Sequence, residues 1–209
     1  MTWAKPALML LVAAVVTVRP MSHGAAETAV EPVAGELLIA SAAIQDPRFH
    51  HSVILLLRHD EKGAFGIVIN HPLTERPIAG LLADSAGKAD QDAQDRAIEG
   101  TIRVFLGGPV EPSYGFVIHS GEYRRPETLT LDIGVAMTAT KDILRDIGRH
   151  QGPEKYLFAL GYAGWGAGQL EGEIARHDWF TTPGEPDLVF DEQRGQLWER
   201  ALARRTREL

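Results

Sequence analysis

Apolar runs separated by short polar turns dominate the first half of this chain. Residues 36–44 are almost uniformly apolar, which predicts a buried strand. Residues 52–58 and 64–70 flank the polar segment 59–63, and this pattern predicts a hairpin with a five-residue loop. Residues 46–49 predict a turn, because the residue before a proline is disfavoured in a helix.

Residues 102–106, 114–119 and 128–132 predict three further strands. Residues 77–82 predict a short helix with a proline near its start. Residues 83–100 are rich in Asp, Gln and Ala and poor in large apolar groups. This composition predicts an exposed, mobile insertion within one domain, since strand patterns resume directly after it.

The apolar period becomes helical in the second half. Ile143, Leu144 and Ile147 form one stripe, which predicts a helix that Thr138 or Thr140 would cap. A buried strand is predicted at residues 156–161, and a second helix carries Leu170, Ile174 and His177 on one face. A short strand is predicted at 187–190 and a last helix at 196–205. Strands outnumber helices and the early strands form a hairpin, so the fold class is α+β in a single domain over residues 27–209.

The first 26 residues have the pattern of a signal peptide. Lys5 precedes an apolar stretch at residues 7–18, and small residues at 24–26 predict cleavage before Glu27. The stretch is shorter than the roughly 20 apolar residues of a transmembrane helix. We therefore predict export to the periplasm, with no transmembrane anchor after processing. A misassigned start and a cytoplasmic location are the alternative.

Charge and cysteine content exclude several function classes. The chain of 209 residues has a formal net charge of −7 and no cysteine. Cleavage after residue 26 would remove Lys5 and Arg19, which are two positive charges, and so leave −9. An acidic domain is repelled by phosphate backbones, so direct nucleic-acid binding is disfavoured. Without cysteine there are no disulfides, thiol nucleophiles or thiolate metal sites.

Residues 161–169 form the most distinctive segment, because four glycines and two aromatic residues occur between a predicted strand and a predicted helix. Nucleotide binding is disfavoured, since Ala167 and Gly168 stand where a P-loop requires Lys and Ser or Thr. One interpretation is a tight strand-to-helix corner with Trp165 covering the core. The other is a recognition surface, joined by a second glycine-proline turn at residues 107–114. The candidate surface consists of Gly161, Tyr162, Gly164, Trp165, Gly166, Gly168 and Gln169, together with Gly107, Gly108 and Tyr114.

The eight histidines form no metal-binding sequence motif, and no metal or cofactor is predicted. No nucleophile, base and orienting group can be assigned from the sequence. A hydrolase that uses His119 or His71 with a nearby carboxylate therefore stays an alternative rather than the main hypothesis.

Several segments together resemble the YqgE/AlgH family of bacterial proteins. They are residues 44–49 with Ser52 and Val53, 66–73, 106–110, 160–170 and 198–202, and the match runs in order from about Gly35 to Leu202. The resemblance implies an α+β fold in which a bifurcated, partly barrel-like mixed sheet is surrounded by helices. It implies no defined enzymatic activity, but a role in regulating gene expression.

The main hypothesis is a non-enzymatic binding or regulatory protein of the YqgE/AlgH type that acts through protein contacts in the cell envelope. The alternatives are a cytosolic AlgH-like regulator of gene expression that works through partner proteins, and the hydrolase described above. The sequence does not identify the partner.

Overall fold

A computed structural model describes residues 32–83 and 94–206. The predicted signal peptide at residues 1–26 and residues 84–93 of the predicted insertion lie outside the described residues. The strands are β1 (Glu36–Ala40), β2 (Val53–Asp60), β3 (Gly63–Val68), β4 (Pro72–Pro77), β5 (Thr101–Leu106), β6 (Val110–Ser120), β7 (Leu129–Thr130), β8 (Val135–Thr138), β9 (Tyr156–Gly166) and β10 (Trp179–Pro183). The α-helices with complete bounds are α1 (Ile78–Ala83), α2 (Lys141–Gly148), α3 (Gln169–Ala175), α4 (Pro186–Val189) and α5 (Leu197–Ala203), and two short 3-10 helices lie at Pro47–Phe49 and Arg194–Gln196.

All these strands belong to one mixed sheet, and β9 is the strand at which it divides. The main path of the sheet runs β10-β1-β2-β3-β9-β6-β8-β7, while β5 pairs with β4 and β9. At Ala159, in the first half of β9, the neighbours are Phe105 of the parallel strand β5 and Phe116 of the antiparallel strand β6. At Gly164, in the second half, the neighbour is Phe65 of β3. The predicted α+β fold with a bifurcated mixed sheet is therefore confirmed.

Strand β2 shows why the early apolar runs do not alternate with polar residues. Val53 and Leu55 point into a core that includes Leu197 of α5, whereas Ile54 points into a second core that includes Leu170 of α3. All five of these side chains are at most 1% exposed. A strand that is covered on both faces reads as a continuous hydrophobic run.

The hairpin of β2 and β3 is confirmed, but its loop is shorter than predicted. Asp60 pairs with Gly63, so the turn contains only Glu61 and Lys62. Gly63 is required there: its φ is +130°, and a Cβ atom would lie 2.1 Å from the carbonyl oxygen of Trp165. The five-residue loop was therefore a wrong prediction, because strand pairing continues into the polar residues.

Three strands and one helix differ from the sequence prediction. Strands β4, β8 and β10 are not predicted from the sequence, since each is short or lacks a long apolar run. Residues 187–190 fall in and just after helix α4 and do not form a strand. Pro186 is at the start of this helix, where its missing N–H costs no hydrogen bond.

The end of the predicted exposed segment 83–100 belongs to the core. Ile98 is 8% exposed and packs with α1 and α2. Asp95 is 4% exposed, and its carboxylate accepts hydrogen bonds from Arg145 Nε (2.8 Å) and Nη2 (2.9 Å). The prediction of exposure is therefore wrong for these two residues. Asp95 can be buried because the bidentate contact with Arg145 compensates the loss of water around its carboxylate.

Candidate functional site

The glycine-rich segment 161–169 is mostly strand. Strand β9 continues to Gly166, and the turn into α3 contains only Ala167 and Gly168, with φ of +72° at Gly168. Side chains alternate across the strand, so Ala163 and Trp165 are buried, whereas Gly164 and Gly166 are exposed. The interpretation of residues 161–169 as a tight corner is therefore wrong for residues 161–166, because pairing with β3 extends the strand through the glycines.

The two glycine motifs of the candidate surface contact each other. The backbone N–H of Gly107 donates to the carbonyl of Leu160 (2.7 Å). A Cβ atom on Gly108 would lie 2.1 Å from the carbonyl carbon of Tyr162, and one on Gly161 would lie 2.4 Å from the carbonyl oxygen of Gly108. Such backbone-to-backbone packing leaves space only for glycine. These three glycines are buried and hold β9 against the turn after β5.

Trp165 is an internal residue and not an exposed recognition residue. Its side chain is 7% exposed, and its Nε1–H donates to Glu173 Oε2 (2.8 Å). Trp179 donates to the same oxygen (2.8 Å), and the two rings meet edge to face with centroids 5.9 Å apart. Gln169 donates to the other carboxylate oxygen (2.9 Å) and accepts a hydrogen bond from the N–H of Gly166 (3.0 Å). Both tryptophans and α3 are thus held by one carboxylate.

Tyr114 and Tyr162 occupy different environments. Tyr114 is 52% exposed, whereas Tyr162 is less exposed and lies partly buried among aromatic rings. The ring of Phe65 lies 4.9 Å from that of Tyr162, and Phe116 lies 5.4 Å from Tyr114. Among the aromatic side chains of the candidate surface, Tyr114 is therefore the most exposed to a partner.

The histidines of the hydrolase alternative lack the required neighbours. His119 is fully buried, its Nδ1 lies 3.0 Å from the carbonyl oxygen of Ser120, and its Nε2 lies 2.9 Å from Thr138 Oγ1. Burial keeps the pKa of His119 below its usual value, and burial also lowers the pKa of His71. In the described part of the chain, neither imidazole is hydrogen-bonded to a carboxylate, so neither has the orienting acid that the alternative requires.

A third histidine, His59, does contact a carboxylate. Its Nε2 lies 2.6 Å from Glu171 Oε1, but its Nδ1 lies 2.6 Å from the carbonyl oxygen of Pro32. Both ring nitrogens are therefore engaged within the protein. The residues that the structure describes also contain no group of three or more His, Asp or Glu side chains placed to hold a metal ion.

A cleft of about 590 Å³ lies beside Tyr114, and we name it the Arg76–Lys141 cleft. Apolar side chains of α1, α2 and β9 form part of its wall, including Leu81, Leu144 and Phe158. Arg76 and Lys141 contribute two positive charges, whereas no acidic side chain of the described residues lines the cleft.

Among the described residues, both charged side chains that line this cleft are positive, whereas the whole chain has a net charge of −7. Two cations above an apolar wall favour a ligand with a negative group next to an apolar one. The sequence analysis identified Tyr114 but missed Arg76 and Lys141, because single basic residues 65 positions apart form no motif.

Comparison with known proteins gives one consistent result. A family model described as AlgH-like matches residues 37–209. The chain is 45% identical over 170 residues to a UPF0301 protein of Methylocella silvestris. This alignment covers 80% of this chain and 82% of that protein. It is 42% identical to a UPF0301 protein of Thioalkalivibrio sulfidiphilus, covering 85% and 91% of the two chains.

Two solved structures are similar. The solution structure of the AlgH protein from Pseudomonas aeruginosa superposes with a TM-score of 0.64 at 37% identity and covers 81% of this chain and 87% of that one. A crystal structure of a protein from Corynebacterium diphtheriae has a TM-score of 0.63 at 20% identity, covers 84% and 88% of the two chains, and supports the fold alone. Within the residues that the structure describes, no helix is long and apolar enough to cross a membrane.

Proposed function

This chain belongs to the AlgH-like family, and we propose that it is a non-enzymatic binding protein that acts through contact with a protein partner. The observation that carries the proposal is the Arg76–Lys141 cleft, with its two cations, its apolar wall and the exposed Tyr114 at its side. The partner segment is one that carries a carboxylate next to an apolar side chain.

The arrangement of the cleft favours this kind of segment for two reasons. First, the cations attract acidic groups, which the rest of this acidic surface repels. Second, Tyr114 offers a rigid apolar ring with a polar hydroxyl, and tyrosine is enriched among the residues that dominate binding energy at interfaces. The contacts of His59, His71 and His119 with protein groups argue against a catalytic base at those positions.

We also propose that the protein acts in the cell envelope after export. The signal-like sequence at residues 1–26 supports this location. Fractionation of cells that express the full chain with a carboxyl-terminal tag tests it: the processed protein is expected in the periplasmic fraction, and an unprocessed protein in the cytosol would contradict export.

The binding proposal can be tested with two fluorescent peptides of equal length, one alternating Asp and Leu and the other alternating Lys and Leu. The full chain is expected to bind the acidic peptide and not the basic one. The double variant Arg76→Gln/Tyr114→Ala is expected to weaken binding at least tenfold, because it removes one cation and the exposed ring.

A matched double variant controls for general effects of charge and exposure. Arg124→Gln/Tyr156→Ala likewise removes one arginine and one exposed tyrosine, but neither residue lines the Arg76–Lys141 cleft. It is expected to bind as the unmodified protein does. Equal loss in both double variants, or equal binding of both peptides, would show that the cleft is not the binding site.

A further inference from the structure

A buried arginine, Arg194, lines a second cleft. Arg194 is only 9% exposed, and the centre of its guanidinium lies 5.5 Å from the centroid of the Phe105 ring. Buried charges in proteins are nearly always paired, because removal from water is costly. Within the residues that the structure describes, no carboxylate forms an ion pair with Arg194, and the neighbouring Asp191 pairs with Arg200 instead.

The hydrogen bonds of Arg194 use one of its three nitrogens. Nη1 donates to the carbonyl of Val189 (2.8 Å) and lies 3.5 Å from that of Ile69. The first contact satisfies a carbonyl at the end of α4, which is a structural role for Nη1. Nε and Nη2 donate to no acceptor in the described part of the chain, so this role leaves most of the donor capacity unused.

The two unused nitrogens keep some solvent-accessible surface. In residues 32–83 and 94–206, the one fully enclosed side-chain polar atom without a hydrogen bond is Ser52 Oγ. Nε and Nη2 of Arg194 are therefore not fully enclosed. The space that Arg194 lines is a cleft of about 440 Å³, with Phe105, Tyr156 and Phe190 among its walls. We name it the Arg194 cleft.

The geometry of the free edge selects the ligand. Nε–H and Nη2–H lie on the same side of the planar guanidinium and point in parallel, which matches the two oxygens of one carboxylate. We propose that the Arg194 cleft binds a small organic acid through its carboxylate, held by Nε and Nη2 of Arg194. This site goes beyond the proposed protein-binding function and does not depend on it.

The other charges of the cleft favour a single negative charge on the ligand. Glu75, Glu154 and Glu192 line the cleft together with Arg103 and Lys155. These three carboxylates would repel a dianion such as phosphate about twice as strongly as they repel a monocarboxylate. Repulsion between like charges is strongest where water is partly excluded.

The walls favour an apolar or aromatic body for the acid. Phe105 is 3% exposed beneath the guanidinium, and Tyr156 is 38% exposed at the side of the cleft. A cleft of this volume is within the range of small-molecule sites. Burial lowers the pKa of Arg194 to about 10, so the guanidinium is still charged at neutral pH.

Benzoate is the probe that tests the proposal, with benzamide as its neutral counterpart of the same shape and inorganic phosphate as the dianionic comparison. Titration of the isotope-labelled full chain, followed by amide chemical shifts, is expected to show saturable benzoate binding. Benzamide and phosphate are expected to bind at least tenfold more weakly. Equal binding of benzoate and benzamide would overturn the proposal, because it would show that the carboxylate is not recognised.

Two variants at Arg194 and one control locate the site. Arg194→Met keeps the apolar stem and is expected to abolish benzoate binding, whereas Arg194→Lys keeps the charge without the planar edge and is expected to weaken binding at least tenfold. Arg124→Gln, which removes an exposed arginine outside the Arg194 cleft, is expected to change affinity less than threefold. If Arg194→Met does not fold, Arg194→Lys decides the question. Unchanged benzoate affinity in Arg194→Lys would overturn the proposal.

Discussion

Substitution of Trp165 tests whether the centre of the glycine-rich segment is core or surface. The side chain is 7% exposed and lies in a core with Ala163, Leu170 and Trp179. Truncation of a buried tryptophan to alanine costs about 3–5 kcal/mol. Because a typical domain is stable by about 5–15 kcal/mol, Trp165→Ala is expected to remove a large part of the free energy of unfolding.

Trp165→Phe separates the hydrogen bond from the packing. Phenylalanine fills much of the same space but cannot donate to Glu173, so this variant is expected to lose about 1–3 kcal/mol. Trp179→Phe removes the second donor to the same oxygen. Because the two donors share one acceptor, the double variant is expected to deviate from additivity by more than about 0.5 kcal/mol.

Urea unfolding followed by far-ultraviolet circular dichroism measures these costs without relying on tryptophan emission. Tyr114→Ala is the matched control: its ring is 52% exposed, and its removal is expected to cost about 1 kcal/mol through the contact with Phe116. A Trp165→Ala protein as stable as the control variant would refute the assignment of Trp165 to the core. It would then return this residue to the candidate recognition surface.

Three further predictions concern stability. Asp95→Asn is expected to cost about 1–3 kcal/mol in urea unfolding at pH 7, because Arg145 then keeps only the more exposed Asp142 as an anionic partner, and a cost below about 0.5 kcal/mol would argue against the pair. Burial keeps the pKa of His119 below its usual value of about 6.5, so the unfolded chain binds a proton at a higher pH than the folded protein does. The free energy of unfolding is therefore expected to fall as the pH drops below about 6.5, by at most about 1.4 kcal/mol per pH unit from this group. His119→Asn is expected to flatten that slope in urea unfolding measured at several pH values. Gly108→Ala is expected to lower the melting temperature sharply, since its Cβ would lie 2.1 Å from backbone, while Gly195→Ala, which meets nothing within 4 Å, should leave it nearly unchanged.

The strands β1, β2 and β3 could be predicted from the sequence because burial on both faces produces long apolar runs. The family resemblance could also be recognised, since several uncommon short segments occur in order along the chain, and the AlgH-like match confirms it. Strand β4 could not be predicted, because its six residues are largely exposed and it is held by pairing with β5. Its conformation depends on a partner strand whose paired residues lie 24 or more positions away in the sequence.

The glycine-rich segment shows the same limit. Local rules interpret Gly161, Gly164 and Gly166 as a turn, because glycine favours turns in isolation. The structure makes them strand, since β3 pairs with this part of β9 and the turn after β5 packs directly against Gly161. The identity of the residues was sufficient to single out the segment, but not to determine its conformation.

The sequence by itself determined the fold class, the family and the acidic character of the chain, since these follow from local patterns and from composition. Only the tertiary structure decided which side chains form the two clefts. Arg76 of β4 and Lys141 of α2 line the same cleft, and Arg194 lies over the ring of Phe105 although it is 89 residues further along the chain. Such groups come together through packing of distant elements, and packing leaves no periodic signal in the residues that it joins.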